Sequence, residues 1–358
     1  MKTGRSLVDL ARELERQAVT KRDFLVSTAT TECRPPTEED PHAYTLRFAV
    51  GDAELQPVIQ DLCHEQLGAH LGIPKPYYDR LRTQLPALLV QNVNGWFRHQ
   101  PERRLLRTLD NGARAFLSDR YRPLDNYDLA EAIVPVLTAT AGVQVVSCEV
   151  TERRLYRKAV NARVEGEVEP GDVVQAGVAI ANSEVGDGAL RIEPLIYRLV
   201  CRNGLIAADH ALRRFHTGGR LQGRADDHWE VLRDETKVQS DKALWMQVQD
   251  LVKAALAESL FRQLLNRLQE SGQQPIAGDP TKAVEVTAAT FRLTEAERGS
   301  VLRHLITGGT LTRWGLVNAL TRTAEDVDTY DRATDFERFG GQVIELPRRD
   351  WERIALAV

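Results

Sequence analysis

The sequence lacks several features that would assign a protein to a class at once. Its 358 residues include only four cysteines, with none of the C-x-x-C spacing typical of zinc and redox sites. No apolar run approaches the roughly 20 residues that a membrane-spanning helix needs. Neither the phosphate-loop pattern nor a dinucleotide-binding fingerprint is present, which argues against NTP hydrolysis. A net charge of −4 excludes a wholly basic nucleic-acid binder, although a local basic surface remains compatible with it.

The remaining composition is that of an ordinary globular protein. Hydrophobic residues make up 42% of the chain and charged residues 27%. The first residues, MKTGRSLVDLARELERQ, predict an amphipathic helix and lack the apolar centre of a signal peptide. We therefore expect a cytoplasmic protein with reduced cysteines, no cofactor and no membrane association.

The stretch 143–217 has the densest β pattern of the chain. Apolar and polar residues alternate over 143–150 and 155–160, which is typical of half-buried strands. Turn residues separate the strands at Pro170-Gly171-Asp172 and Gly186-Asp187-Gly188. The pattern predicts an antiparallel meander of four or five strands. Asp110-Asn111-Gly112 predicts a further hairpin, between strands 104–109 and 112–118.

The helical patterns complete a prediction of α+β class. Residues 1–224 are expected to form a core in which a twisted antiparallel sheet packs with helices, among them 126–141. Residues 225–358 are expected to be largely helical, beginning with a long apolar stripe over 229–270. Thr294 and Glu297 have the spacing of a capping box. A helix over 330–339 is expected to end at Gly340-Gly341, before a short strand over 342–346.

Several sequence blocks, each present once, follow one another in a recognisable order over nearly the whole chain. They are LGIPKPYYDRL, ARAFLSDRYRPLDN, GVAIANSEVGDGALRI, YRLVCRNGL, RRFHTGG and RWGLVNALTRTAED followed by ERFGGQVIEL. Together they resemble the phage- and plasmid-associated family known as domain of unknown function 932. The resemblance carries over no activity, but an occurrence on mobile elements implies a role in DNA transactions. It also implies that Asn182, Ser183, Arg198 and Asn203 share a polar site.

Two arginine clusters are the strongest functional signal. Residues 98–122 contain seven arginines against three acids, and residues 191–224 contain seven against two. Aromatic residues are interleaved with them, as in Trp96-Phe97-Arg98, and such surfaces bind single strands by combining phosphate contacts with base stacking. The predicted nucleic-acid contacts are Arg98, Arg103, Arg104, Arg107, Arg120, Tyr121, Arg122, Tyr156, Arg157, Lys158, Tyr197, Arg198, Arg202, Arg213, Arg214 and His216.

The leading prediction is a non-enzymatic DNA-binding protein that favours single strands and acts as a homo-oligomer. A competing interpretation places the arginines on solvated strand faces, paired with nearby acids. A metal-dependent nuclease using Asp119 and Asp172 is an alternative, and a protein-interaction factor of a mobile element is another. Cys201, His210 and His216 are too widely spaced for a structural zinc site, so no metal or catalytic residue is predicted.

Overall fold

The structure, a computed structural model, describes residues 1–40, 42–207 and 234–358; at 234–238, 240 and 241 only the backbone is described. Within these ranges the fold is α+β, as predicted, with a helical C-terminal region. The strands divide between two sheets, whereas one sheet was expected. None of the described helices is long and apolar enough to cross a membrane.

The first sheet is built by the N-terminal part of the chain. Its strands are β1 (Arg22–Ser27), β2 (Glu32–Arg34), β3 (Thr45–Val50), β4 (Ala53–Leu55), β5 (Val58–Ile59), β6 (Arg103–Leu109) and β7 (Gly112–Ser118). They run in the order β1-β6-β7-β5-β3-β2, with β4 paired to β3. Only β5 and β7 are parallel among these pairs of described strands. The predicted hairpin is confirmed, because Asp110 and Asn111 both have positive φ in the two-residue turn between β6 and β7.

Four helices lie in this part of the chain: α1 (Leu7–Thr20), α2 (Asp61–His70), α3 (Lys75–Gln84) and α4 (Pro86–His99). Apolar side chains of α2, α3 and α4 share one buried core with the sheet, in which Phe97 stacks on Phe116. Helix α1 instead contributes Leu10 and Leu14 to the core beneath the second sheet.

The second sheet is the predicted meander. Strands β8 (Val143–Val150), β9 (Leu155–Glu167), β10 (Val173–Asn182), β11 (Arg191–Arg198) and β12 (Asn203–Ile206) pair antiparallel in sequence order. Helix α5 (Asn126–Ala139) packs with α1 against one of its faces, where Val178 and Ile180 are buried. The opposite face carries Tyr156 and Lys158, which contact a C-terminal helix.

The C-terminal helices are α6 (Asp234–Ala255), α7 (Glu258–Gly272), α8 (Pro280–Phe291), α9 (Glu295–Gly308), α10 (Arg313–Thr323), α11 (Tyr330–Glu345) and α12 (Arg348–Ala355). The capping box of Thr294 and Glu297 is present at the start of α9. Helices α7 to α12 share a core with the second sheet, in which Val174 and Ile196 are buried together with Trp314. Helix α6 instead contributes Leu244 and Val248 to the core that contains α1 and α5. The predicted domain boundary at 224 lies outside the described residues.

The expected helix end at Gly340-Gly341 is wrong. Helix α11 continues through both glycines to Glu345, and no strand forms over 342–346. A Cβ on Gly341 would lie 2.0 Å from the carbonyl oxygen of Ile206, and one on Gly340 would lie 2.5 Å from Cγ2 of Thr321. The glycines therefore allow α11 to approach β12 and α10 closely, which tertiary packing requires and local helix propensity does not reveal.

Candidate nucleic-acid interface

The exposed part of the first arginine cluster lies at one end of the first sheet. Arg98 is in the last turn of α4, and Arg103 begins β6. Buried Thr28 joins these two segments: its hydroxyl donates to the carbonyl of Phe97 at 3.3 Å and accepts from the N–H of Glu102 at 2.9 Å. Both arginines are exposed, and neither forms an ion pair or side-chain hydrogen bond within the described part of the chain.

Arg104 and Arg120 lie at the same end of this sheet. The β6–β7 register places Arg104 opposite Ser118, two residues before the exposed Arg120. The Arg104 guanidinium lies 5.1 Å from the centroid of the Phe116 ring and 3.8 Å from the Glu102 carboxylate. Arg103 and Arg104 point to opposite faces of the strand, because successive side chains of a strand alternate. The four arginines at positions 98, 103, 104 and 120 therefore lie on both sides of this end of the sheet.

Trp96 is the aromatic side chain at this end, and the predicted contacts omitted it. It is 42% exposed and makes an edge contact with His99, with ring centroids 5.7 Å apart. Its neighbour Phe97 is buried, as the helical pattern requires. The interleaving of Trp96-Phe97-Arg98 was the available signal, but sequence alone did not separate the exposed ring from the buried one.

Arg107 does not fit its predicted role as a phosphate contact. It is only 1% exposed; its guanidinium donates to Asp23 at 2.8 Å, to Asp125 at 2.9 Å and to the carbonyl of Glu184 at 2.7 Å. Burial alone would lower its pKa, but Asp23 and Asp125 outweigh burial and raise the pKa above its ordinary value. All three guanidinium nitrogens of Arg107 therefore donate to groups inside the protein.

The predicted polar site is divided between two places. The Asn182 amide donates to the carbonyl of Leu124 at 2.7 Å, and the Ser183 hydroxyl donates to that of Arg153 at 2.9 Å. Asn203 pairs with Arg198, which itself pairs with Val174 at the other end of β10 from Asn182. Eight residues of strand separate those ends by about 26 Å. Asn203 therefore does not belong to this site, and its amide donates to Thr321 at 2.6 Å.

Next to Asn182 lies an ionic network that the sequence patterns did not reveal. The Glu184 carboxylate is 3% exposed and accepts the main-chain N–H of Asn126 at 2.6 Å, at the N-terminus of α5. Lys21 lies 3.2 Å from it and Arg114 lies 3.1 Å from it. The helix N-terminus and both cations thus surround one carboxylate, and Asp125, 2.9 Å from Lys21, supplies a second acid to the network.

Tyr156, Arg157 and Lys158 are buried as well, so they do not fit the predicted contacts. Lys158 lies 2.5 Å from Glu337 of α11, and the Tyr156 hydroxyl donates to Asp331 at 2.6 Å. Burial lowers the pKa of Lys158, while Glu337 opposes that shift. Burial also lowers the pKa of Arg157. Lys158 and Tyr156 hold α11 against the second sheet.

The other predicted contacts differ in exposure. Tyr121 donates its hydroxyl to the carbonyl of Ser183 at 3.0 Å, and Arg122 and Tyr197 are half-buried. Arg198 lies 2.5 Å from Asp172 and donates to Cys201 Sγ at 3.3 Å. Arg202 is exposed in a turn, with a φ of 51°. Arg213, Arg214 and His216 lie outside the described residues, as does His210.

The described residues contain no group of three or more His, Cys, Asp or Glu side chains arranged to hold a metal ion. Asp172, an acid of the nuclease alternative, also accepts from the indole N–H of Trp314 at 2.9 Å and is buried. Asp119 is exposed. Asp172 is thus buried and hydrogen-bonded, whereas Asp119 is exposed to solvent.

Comparison with known proteins gives one match. Searches of curated proteins and of solved structures found no significant similarity. A family model described as Domain of unknown function (DUF932) matches residues 114–339, from β7 through most of α11. The match covers more than half of the chain and leaves Trp96, Arg98, Arg103 and Arg104 outside it. The chain therefore belongs to the DUF932 family, as the resemblance of its sequence blocks implied.

Proposed function

We propose that the chain binds single-stranded nucleic acid, DNA in particular, through the end of the first sheet. The basic surface is defined by Trp96, Arg98, Arg103, Arg104 and Arg120. The observation that carries the proposal is that Arg98 and Arg103 are exposed and without ion-pair partners among the described residues, and that the exposed Trp96 lies in the last turn of the same helix as Arg98.

Phosphate binding at such a surface is favourable because no existing ion pair of Arg98 or Arg103 with a described residue has to be broken first. An arginine already engaged by carboxylates, such as Arg107, would lose those bonds on binding, whereas Arg98 and Arg103 would not. Each phosphate contact releases counterions from the nucleic acid. A base stacked on Trp96 would contribute about 1–3 kcal/mol, and only an unpaired base offers its face in this way.

Two further features belong to the proposal. All four cysteines are free, three of them buried, which fits a reducing cytoplasm. A homo-oligomer would place several basic surfaces along one nucleic-acid strand, so that the oligomer would bind more tightly than a single chain.

The experiment is fluorescence anisotropy of the full chain with labelled single- and double-stranded oligonucleotides over a series of salt concentrations. We expect tighter binding to the single strand and an affinity that falls as salt rises. For Arg98→Ala/Arg103→Ala, the slope of log affinity against log salt should shrink by about 1.4, since each lost phosphate contact on a single strand accounts for about 0.7. Arg262→Ala is the control, because Arg262 is exposed on α7 and paired with Glu258.

The same samples are run on a gel with and without Mg²⁺. Absence of binding at low salt would overturn the proposal and favour a protein partner. Cleaved oligonucleotide, lost in Asp119→Asn, would favour the nuclease alternative instead. Equal binding by the double variant and by Arg262→Ala would place the nucleic acid elsewhere on the chain.

A further inference from the structure

Three edge strands of the two sheets are covered by other parts of the chain. The side-chain amide of Asn94, in α4, bonds both the N–H and the carbonyl of Cys33 in β2, each at 2.8 Å. The main-chain N–H of Arg5 donates to the carbonyl of Cys148 in β8 at 2.8 Å. Helix α11 packs on β12 through Gly341. Cover of this kind prevents an edge strand from pairing with another chain.

Strand β1 is an edge without such cover in the described part of the chain. It pairs only with β6, in a register that runs unbroken over six residues. The N–H of Thr28, directly after β1, donates to the carbonyl of Glu102 at 2.9 Å, so the even-numbered residues of β1 turn their main chain towards β6. The odd-numbered residues Asp23, Leu25 and Ser27 therefore turn theirs outward, where no described strand pairs with them.

The outer edge of β1 is apolar at its centre. The Leu25 side chain is 51% exposed, whereas the neighbouring Val26 is buried in the core. Natural proteins usually block a free edge with a proline, a bulge or charged side chains. Strand β1 has no proline and no bulge, and its two charged residues, Arg22 and Asp23, lie at its start. The centre and end of the strand are thus open to a partner strand.

The outward residues fit a second copy of the same strand. In an antiparallel pair with a two-fold axis at Leu25, this leucine lies opposite its own copy, and Asp23 lies opposite Ser27 on both sides of the axis. Opposite residues of this kind exchange main-chain hydrogen bonds. Any shift along the strand would leave at least one outward residue beyond the end of the partner's β1. One register therefore uses the whole edge.

The charges favour the same register. Ser27 lies opposite Arg103 of β6, and it would lie opposite Asp23 of the second copy. Directly opposite residues share a face of the sheet, so Arg103 and this acid would face each other across one small side chain. Their Cα atoms would be about 10 Å apart, which allows attraction at physiological salt without occupying the guanidinium.

We infer that β1 pairs antiparallel with β1 of a second copy of this chain, which joins the first sheets of the two copies into one continuous sheet. The interface is isologous, because the same residues contribute from both sides. The inference goes beyond the proposed function, since main-chain pairing and the leucine contact at this edge do not depend on nucleic acid. It is tested on the full chain with no nucleic acid present.

Cysteine cross-linking tests the register. Opposite residues of a hydrogen-bonded pair have Cα atoms about 5.5 Å apart, a distance that a disulfide spans. Leu25→Cys should therefore form a covalent dimer under mild oxidation. Ser27→Cys is the matched control: it also faces outward, but its two copies would lie four residues apart along the strands, or about 13 Å. It should give no more covalent dimer than the wild type, which keeps the same four native cysteines.

Sedimentation of the full chain over a series of concentrations measures the dimer itself. Leu25→Lys places two positive charges at the centre of the interface and should weaken self-association by about tenfold or more. Leu25→Pro removes an N–H that faces away from β6, so the dimer should be lost while the circular dichroism spectrum stays that of the wild type. Val134→Lys, at an exposed position of α5, is the control and should dimerise normally.

A wild-type chain that stays monomeric at every concentration would overturn the inference. Equal cross-linking of Leu25→Cys and Ser27→Cys would overturn it as well, as would a dimer that Leu25→Lys leaves unchanged. Should the variants fail to fold, hydrogen exchange of the wild type decides, because the amides of Asp23, Leu25 and Ser27 must become protected as concentration rises. A monomer that still binds single strands would refute this interface alone, whereas a dimer that binds none would refute only the proposed nucleic-acid binding.

Discussion

Nη2 of Arg114, in β7 of the first sheet, lies 3.1 Å from Oε2 of Glu184, which follows β10 of the second sheet. Both side chains are buried. The same carboxylate accepts from Asn126 at the start of α5 and contacts Lys21 at the end of α1. One acid therefore links the two sheets and two helices, and the predicted Asn182–Ser183 polar site lies directly before it in sequence.

Removing the charge of Glu184 should destabilise the fold strongly. In Glu184→Gln the buried Arg114 loses its carboxylate and Lys21 retains Asp125 alone, and we expect a loss of about 3 kcal/mol in the free energy of unfolding. Unfolding in guanidinium chloride, monitored by circular dichroism, measures this loss. Glu258→Gln is the control: its exposed pair with Arg262 should be worth less than about 0.5 kcal/mol. Similar losses in the two variants would contradict the structural role of Glu184.

Removing one partner of the buried ion pair between Lys158 and Glu337 should destabilise the protein more than replacing both partners by apolar residues. Lys158→Met or Glu337→Leu alone leaves one charge buried without its partner, and each should cost about 3–5 kcal/mol. The double variant removes both charges and should be more stable than either single variant. A double-mutant cycle of unfolding free energies measures the coupling. Additive losses would show that the two side chains act independently.

Gly341 should not tolerate a methyl group. Its missing Cβ would lie 2.0 Å from the carbonyl oxygen of Ile206, so Gly341→Ala must push α11 away from β12 and should lower the melting temperature. Gly299 is a matched control, because it is also helical but exposed, with nothing within 4 Å of a Cβ. Gly299→Ala should stabilise the protein by about 0.5–1 kcal/mol through helix propensity alone. Stabilisation by both substitutions would refute the close approach of α11.

Mild acid should weaken the fold through His64. In the unfolded chain His64 gains a proton as the pH falls below about 6.5, whereas burial and Arg82 keep it neutral in the folded chain down to about pH 3. Stability is therefore present above pH 6.5 and is lost as the pH falls through this window, by about 2 kcal/mol at pH 5 for this group.

His64→Asn should remove that part of the pH dependence, as measured by urea unfolding at pH 5 and pH 7.5. His70, whose pKa is also lowered by burial, remains in both proteins and contributes to the residual slope. An unchanged difference between the two pH values would show that His64 is not buried in its neutral form.

The sequence by itself determined the elements whose causes are local. The hairpin of Asp110 and Asn111 follows from residues that tolerate positive φ, and the capping box of Thr294 and Glu297 follows from side chains three residues apart. The meander over 143–206 follows from alternation and turn residues within each short stretch.

Only the tertiary structure decided which arginines meet solvent and how the strands divide between two sheets. Arg107 and Arg103 are alike in sequence context, yet Arg107 is buried because Asp23 and Asp125 reach it from other elements. In the sequence, Gly341 has the character of a residue that ends a helix, but in the structure it lies inside α11, where β12 packs closely against it. The physical reason is the same in each case: burial and close approach depend on partners that lie far away in sequence, whereas turns and caps depend on their neighbours.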